Sequence, residues 1–94
     1  MATFAVLVEV SLRPGISDPQ GQTIERSLPA LGFDGVSGMK VGKAFRFHID
    51  ATDEASATAR VTDICDRFLT NPVIEDAAVT VFPATAGGGG DGEP

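Results

Sequence analysis

The sequence predicts an α+β domain of β-α-β-β-α-β order, a two-layer sandwich in which a four-stranded antiparallel sheet carries both helices on one face. Three observations point there. Residues 4–12 and 44–50 alternate with the two-residue period of strands that bury one face. Asp18-Pro19 and Thr52-Asp53-Glu54 are helix-start signals, each followed by apolar residues at helical spacing. Two helices cannot cover both faces of four strands, so they share one.

The first strand reads FAVLVEVSL over residues 4–12, with Phe4, Val6, Val8, Val10 and Leu12 on the buried face and Ala5, Leu7, Glu9 and Ser11 on the other. Arg13-Pro14-Gly15 breaks it. Asp18 caps a helix whose first position is Pro19 and whose apolar positions are Ile24, Leu28 and Leu31, with Gly32 as its stop. Pro29 lacks an N–H and crowds the preceding turn, so the regular helix should end early or kink there.

Val36–Val41 and Ala44–Asp50 read as two strands of a hairpin turning at Gly42-Lys43, where glycine supplies the backbone freedom of a tight turn. Phe45, Phe47 and Ile49 should face inward, Arg46 and His48 outward. Thr52 is the expected cap of the second helix, with Ala57, Val61, Ile64, Cys65 and Phe68 as its apolar stripe as far as Leu69. Asn71-Pro72 ends it, because the residue before proline is pushed out of the helical region. Val73–Phe82 is then the last strand, with Val79 and Val81 on one face. The domain spans residues 1–83, and the glycine-rich segment 84–94, which has no apolar periodicity, is expected to be a disordered tail.

Ninety-four residues support one small domain with a modest core, too little for a complete active site with its own substrate cavity. A formal charge of -6 argues against nucleic acid, whose binding depends on cationic contacts to phosphate. The single Cys65 has no disulfide partner in the chain, no basic and apolar leader opens it, and the apolar run Phe4–Val8 is too short for a membrane. A cytoplasmic protein is the expectation.

No catalytic set emerges. Gly38-Met39-Lys40-Val41-Gly42-Lys43-Ala44 is one residue short of a phosphate loop, ends in Ala44 where Ser or Thr is required, and precedes no helix. The lone His48 and the lone Cys65 have no metal-ligand spacing, and no serine lies in a nucleophile elbow. Glu75-Asp76 is a pair of carboxylates at a strand start, a solvated or capping pair before it is an acid/base dyad. What stands out instead is apolar surface. Ala5, Leu7 and Phe82 lie on the sheet face that the helices leave open, and exposed apolar surface of that kind marks an interface.

Three short motifs remain, each where one element gives way to the next: Asp18-Pro19-Gln20-Gly21, Gly42-Lys43, and Asn71-Pro72 with Glu75. In this order and on this pattern of elements, over roughly residues 4–82, the chain resembles the PurS family, the small subunit of phosphoribosylformylglycinamidine synthase. The resemblance implies an assembly that converts formylglycinamide ribonucleotide, ATP and glutamine to formylglycinamidine ribonucleotide in purine synthesis. A glutaminase subunit releases ammonia, a large ATP-using subunit carries out the amidation with ATP and Mg, and the small subunit joins them as a dimer or tetramer. It implies no cofactor and no catalytic residue on this chain. Pro29 and the glycine-rich tail depart from the family's pattern. The alternative is a regulatory small-ligand module of the ACT type, which shares the element order, with Arg13-Pro14-Gly15 in the loop where such domains bind an amino acid.

Overall fold

The computed structural model describes residues 1–84, so most of the expected tail lies outside the described residues. The strands are β1 (Ala2–Leu12), β2 (Lys43–Ala51) and β3 (Glu75–Pro83), and the helices are α1 (Pro19–Ser27) and α2 (Glu54–Ile64). A 3-10 turn, Pro29–Leu31, follows α1, and a π turn, Cys65–Leu69, follows α2.

The sheet is antiparallel, in the order β2-β1-β3. Its register places Val8 opposite Phe45 on one side and Val79 on the other, with Val6 between Phe47 and Val81. Strand alternation sends the even positions of β1 to one face, where Phe4, Val6, Val8 and Val10 are buried with Ile49 and Ala51. α2 and the start of its π turn close that face with Ala57, Val61 and Cys65, four residues apart.

The predicted α+β class holds, and the fourth strand does not form. Residues 36–41 have no strand pairing. Gly35 and Gly38 take positive φ of 84° and 71°, which interrupts an extended run. The N–H groups of Met39 and Val41 are taken by the carboxylates of Glu25 and Asp18 at 2.8 and 2.9 Å, so side chains replace the neighbouring strand that would have bonded this backbone. Gly42 therefore turns no hairpin.

Helix ends differ from expectation in smaller ways. Pro29 does end the regular helix early: α1 stops at Ser27, and Gly32 closes the 3-10 turn at a φ of 94°. α2 is capped by Asp53, whose carboxylate accepts from the Ser56 N–H at 2.8 Å, and not by Thr52. Its α-helical part stops at Ile64, because the Thr70 N–H and hydroxyl both donate to the Cys65 carbonyl, at 3.0 and 2.9 Å. That five-residue closure is the π turn.

α2 alone covers the apolar sheet face to any extent. Among the regular elements α1 meets its own 3-10 turn and makes at most marginal contact with the strands, and Glu25 and the Asp18 cap hold it against residues 39–41. Only Gly21 is buried along it, and Ile24, Leu31, Phe33 and Val36 are exposed on α1 and the segment that follows. No helix among the described residues is long and apolar enough to cross a membrane.

Candidate functional site

Asp18 is the one buried charged residue among those described, and the start of α1 is built around it. As cap it accepts the Gly21 N–H on Oδ1 at 2.8 Å, and it reaches across to accept the Val41 N–H on Oδ2 at 2.9 Å. Pro19 occupies the first helical position, where the missing N–H costs nothing. The hydrogen bonds from Val41 and Gly21, with the charge of Lys40, hold the Asp18 carboxyl below its ordinary pKa against the opposing effect of burial. Gly21 packs so closely behind it that a Cβ there would lie 2.6 Å from the Met39 carbonyl. The motif is thus a clamp between the head of α1 and residues 39–41.

The Gly42-Lys43 pair begins β2. Lys43 stands opposite Val10 in the ladder, and a Cβ on Gly42 would lie 2.6 Å from the Val10 carbonyl oxygen. Glycine is needed here for close backbone approach, not for a turn. The exposed Lys43 ammonium sits 5.9 Å from the centre of the Phe45 ring, within cation–π reach.

Asn71, Pro72 and Glu75 build the turn that leads into β3. The Asn71 N–H donates to Glu75 Oε1 at 2.7 Å, and the Glu75 N–H donates to the Asn71 carbonyl at 2.8 Å. The Asn71 side-chain oxygen accepts the Val73 N–H at 3.2 Å. This reciprocal pair fixes residues 71–75 as a turn and delays the strand to Glu75.

Segments far apart in sequence thereby meet at one end of the sheet. An open cleft of about 530 Å³ is lined by Asp18, Pro19, Gln20, Gly42, Lys43 and Glu75, together with the last residues of β1. A second hollow of about 290 Å³ shares Glu75 and includes Pro72. Gly21 and Asn71 line neither; they act from behind through backbone contacts. Arg13 flanks this end, its Nε 3.4 Å from both the Glu75 carbonyl and Asp76 Oδ1.

The chemistry this arrangement offers is that of a surface. The Asp18 carboxylate is occupied on both oxygens and Glu75 is bonded to Asn71, while Lys43 presents an exposed charge. Cys65 is buried, and that burial, reinforced by Asp66, pushes its thiol above the ordinary range and away from nucleophilic use. Among the described residues no group of three or more His, Cys, Asp or Glu is placed to hold a metal ion. Glu75 and Asp76 are neighbours on β3 whose side chains point to opposite faces, which separates the candidate dyad.

Residues 5–83 match one family model, described as PurS: Phosphoribosylformylglycinamidine (FGAM) synthase. The chain belongs to the PurS family. It is 41% identical over 69 residues to the phosphoribosylformylglycinamidine synthase subunit PurS of a Synechocystis species, spanning 73% of this chain and 69% of that protein. To the PurS subunit of Mycobacterium leprae it is 43% identical over 74 residues, 79% of this chain and 90% of that one. Among solved structures, a chain in the structure of PurLQS from Thermotoga maritima superposes with a TM-score of 0.80 at 30% identity, covering 87% of this chain and 100% of that chain. Methanocaldococcus jannaschii PurS superposes with a TM-score of 0.79 at 30% identity, covering 87% and 99%.

Reading the PurS-like motifs in sequence names residues without showing what they bond to. Glu25, which holds Met39, carries no local signal, because its partner is fourteen residues away across a loop. The Val10 carbonyl, which makes Gly42 necessary, is invisible in any side-chain pattern. Phe68, expected in the core stripe of α2, is 85% exposed.

Proposed function

We propose that this chain is the small, non-catalytic subunit of a phosphoribosylformylglycinamidine synthase, joining the glutaminase subunit to the ATP-dependent synthase subunit in purine synthesis. The carrying observation is the family match over residues 5–83, with relatives named as subunits of that synthase across most of their own length. A related chain in the PurLQS structure supports the role of a joining subunit. The reaction is the ATP- and glutamine-dependent amidation of formylglycinamide ribonucleotide. On this reading ATP and Mg bind the large subunit, the residues of this chain hold no cofactor, the working unit is the domain 1–83, and the location is the cytoplasm.

The motif residues Asp18, Pro19, Gln20, Gly21, Gly42, Lys43, Asn71, Pro72 and Glu75 then serve assembly: most shape the end of the sheet, and Lys43 offers its charge to a partner. Self-association accompanies this role. The sheet face opposite α2 carries Leu7 and Phe82, as the sequence suggests, but Ala5 is already sheltered at 4% exposure between His48 and Phe82. The larger uncovered apolar surface is the α1 arm, with Ile24, Leu31, Phe33 and Val36. A helix that leaves its apolar residues in water beside an incompletely covered sheet is best completed by a second copy.

Reconstitution tests the proposal. The large and glutaminase subunits of the same host should show glutamine-dependent amidation only when this chain is added, and the chain alone should show none. Full activity without it, or turnover by it alone, overturns the reading.

A further inference from the structure

We infer that Phe68 and Val73, on the connection between α2 and β3, form a docking anchor for a non-identical partner subunit that presents an apolar socket rimmed by Lys or Arg. The inference rests on the proposed role as a joining subunit and deepens it.

The π turn is the first observation. The buried positions of α2 fall at Ala57 and Val61, and the stripe continues to Cys65 at the start of the π turn. Continued α-helical winding would bring Phe68 back over Cys65, on the edge of that stripe. The extra residue of the π turn lets Leu69 take the inward place, where it packs against the core. Phe68 is carried outward to 85% exposure. A ring of this size in water forfeits the burial it would gain in the core, and π turns of this kind recur at functional sites.

The second observation is how rigidly the rest of the connection is held. Val73 is 77% exposed, and its N–H is fixed by the Asn71 side chain, while Asn71 and Glu75 lock each other. Two large apolar side chains thus stand on backbone that is already ordered, so binding them costs little further entropy. Glu75, which fixes this turn through Asn71, also lines the cleft of the other two motifs, so the connection that carries the two side chains borders that cleft.

Charge selects the occupant. Residues 63–76 carry Asp63, Asp66, Glu75 and Asp76 against Arg67; Arg67 pairs with Asp63 and Arg13 with Asp76, both at 3.4 Å, which leaves Asp66 and Glu75 without a cation among the described residues. A second copy docking through the same patch would set acids against acids. A different subunit with cations around an apolar socket would pair with them, steering the encounter and fixing its orientation.

The test measures binding of the full chain to the large and glutaminase subunits of its host, with Phe68→Ser, Val73→Ser and Asp66→Lys compared with the unaltered protein. Phe68→Ser should raise the dissociation constant on the order of 10- to 100-fold, the range of an interface anchor, with melting temperature and self-association unchanged. Val73→Ser should weaken binding in the same sense, and Asp66→Lys should slow association at low salt and flatten its salt dependence. Equal binding by Phe68→Ser overturns the inference alone. Loss of self-association with partner binding intact overturns it too, by placing the patch between copies. No binding by the unaltered chain sinks the joining role itself and the anchor with it.

Discussion

Gly42 lies against Val10 so tightly that a β-carbon at position 42 would stand 2.6 Å from the Val10 carbonyl oxygen. The neighbour is backbone of the central strand, bonded on both sides, so it cannot step aside as a side chain could. Gly42→Ala should therefore cost about 1–3 kcal/mol of stability through overpacking, read as a lower urea midpoint at unchanged slope. A Gly42→Ala protein as stable as the parent would mean that the β2 lead-in is free to shift.

Asp18 gives a pH-dependent prediction. Its folded pKa is below the ordinary carboxylate value, because Val41 and Gly21 donate to the ionised form. The stabilisation is fully present above the unfolded pKa of about 3.9 and is lost as pH falls through the lowered folded value. Asp18→Asn turns an amide donor toward one of two N–H donors, so it should be less stable than the parent at pH 7, with the difference shrinking as the pH drops below about 4. Urea midpoints for both proteins from pH 7 to pH 2 measure this, and a constant gap across that range would remove the carboxylate from the account.

The limits of sequence reading follow from the range of each interaction. Residues 4–12 and Val79/Val81 were legible because a strand's period of two is local, and Asp18-Pro19 because a cap bonds within one turn. Residues 36–41 misled, since their pattern suits a strand while Gly35, Gly38 and the distant carboxylates Glu25 and Asp18 decide against one. Phe68 misled for the opposite reason. Helical spacing assigns it to the core, and the π turn closed by Thr70 on the Cys65 carbonyl removes it. The motif positions could be named in order, but that Asp18, Gly42 and Glu75 border one cleft depends on the β2-β1-β3 strand order.

Lys43 separates a solvated residue from an interface contact. Among the described residues its ammonium meets the Phe45 ring at 5.9 Å, so Lys43→Ala should change the stability of the isolated domain by less than about 0.5 kcal/mol. If it bonds a carboxylate or phosphate on a partner subunit, the same change should weaken the assembly by about 1–3 kcal/mol, more at low salt than at high. Titration of the partner subunits at two salt concentrations checks it, and equal affinity of both proteins at low salt would return Lys43 to solvent.

The two apolar surfaces make opposing claims on self-association. Leu31, at 69% exposure on the α1 arm, bears no core contact whose loss would unfold the domain, and Leu7 is half-buried in the central strand. If copies meet through the α1 arm, Leu31→Asp buries an unpaired carboxylate in the contact and should release monomers, whereas Leu7→Asp should leave the oligomer in place. Light scattering at about 50 μM suits the measurement, because a dimer with a dissociation constant of ~1 μM, about 8 kcal/mol, is then mostly associated. A monomer seen only with Leu7→Asp would move the contact to the outer sheet face, provided circular dichroism shows that variant still folded. An unaltered chain that is monomeric at that concentration would leave Ile24, Leu31, Phe33 and Val36 to be covered by another subunit, and addition of the large and glutaminase subunits should then reduce the labelling of a Leu31→Cys probe by a bulky thiol reagent.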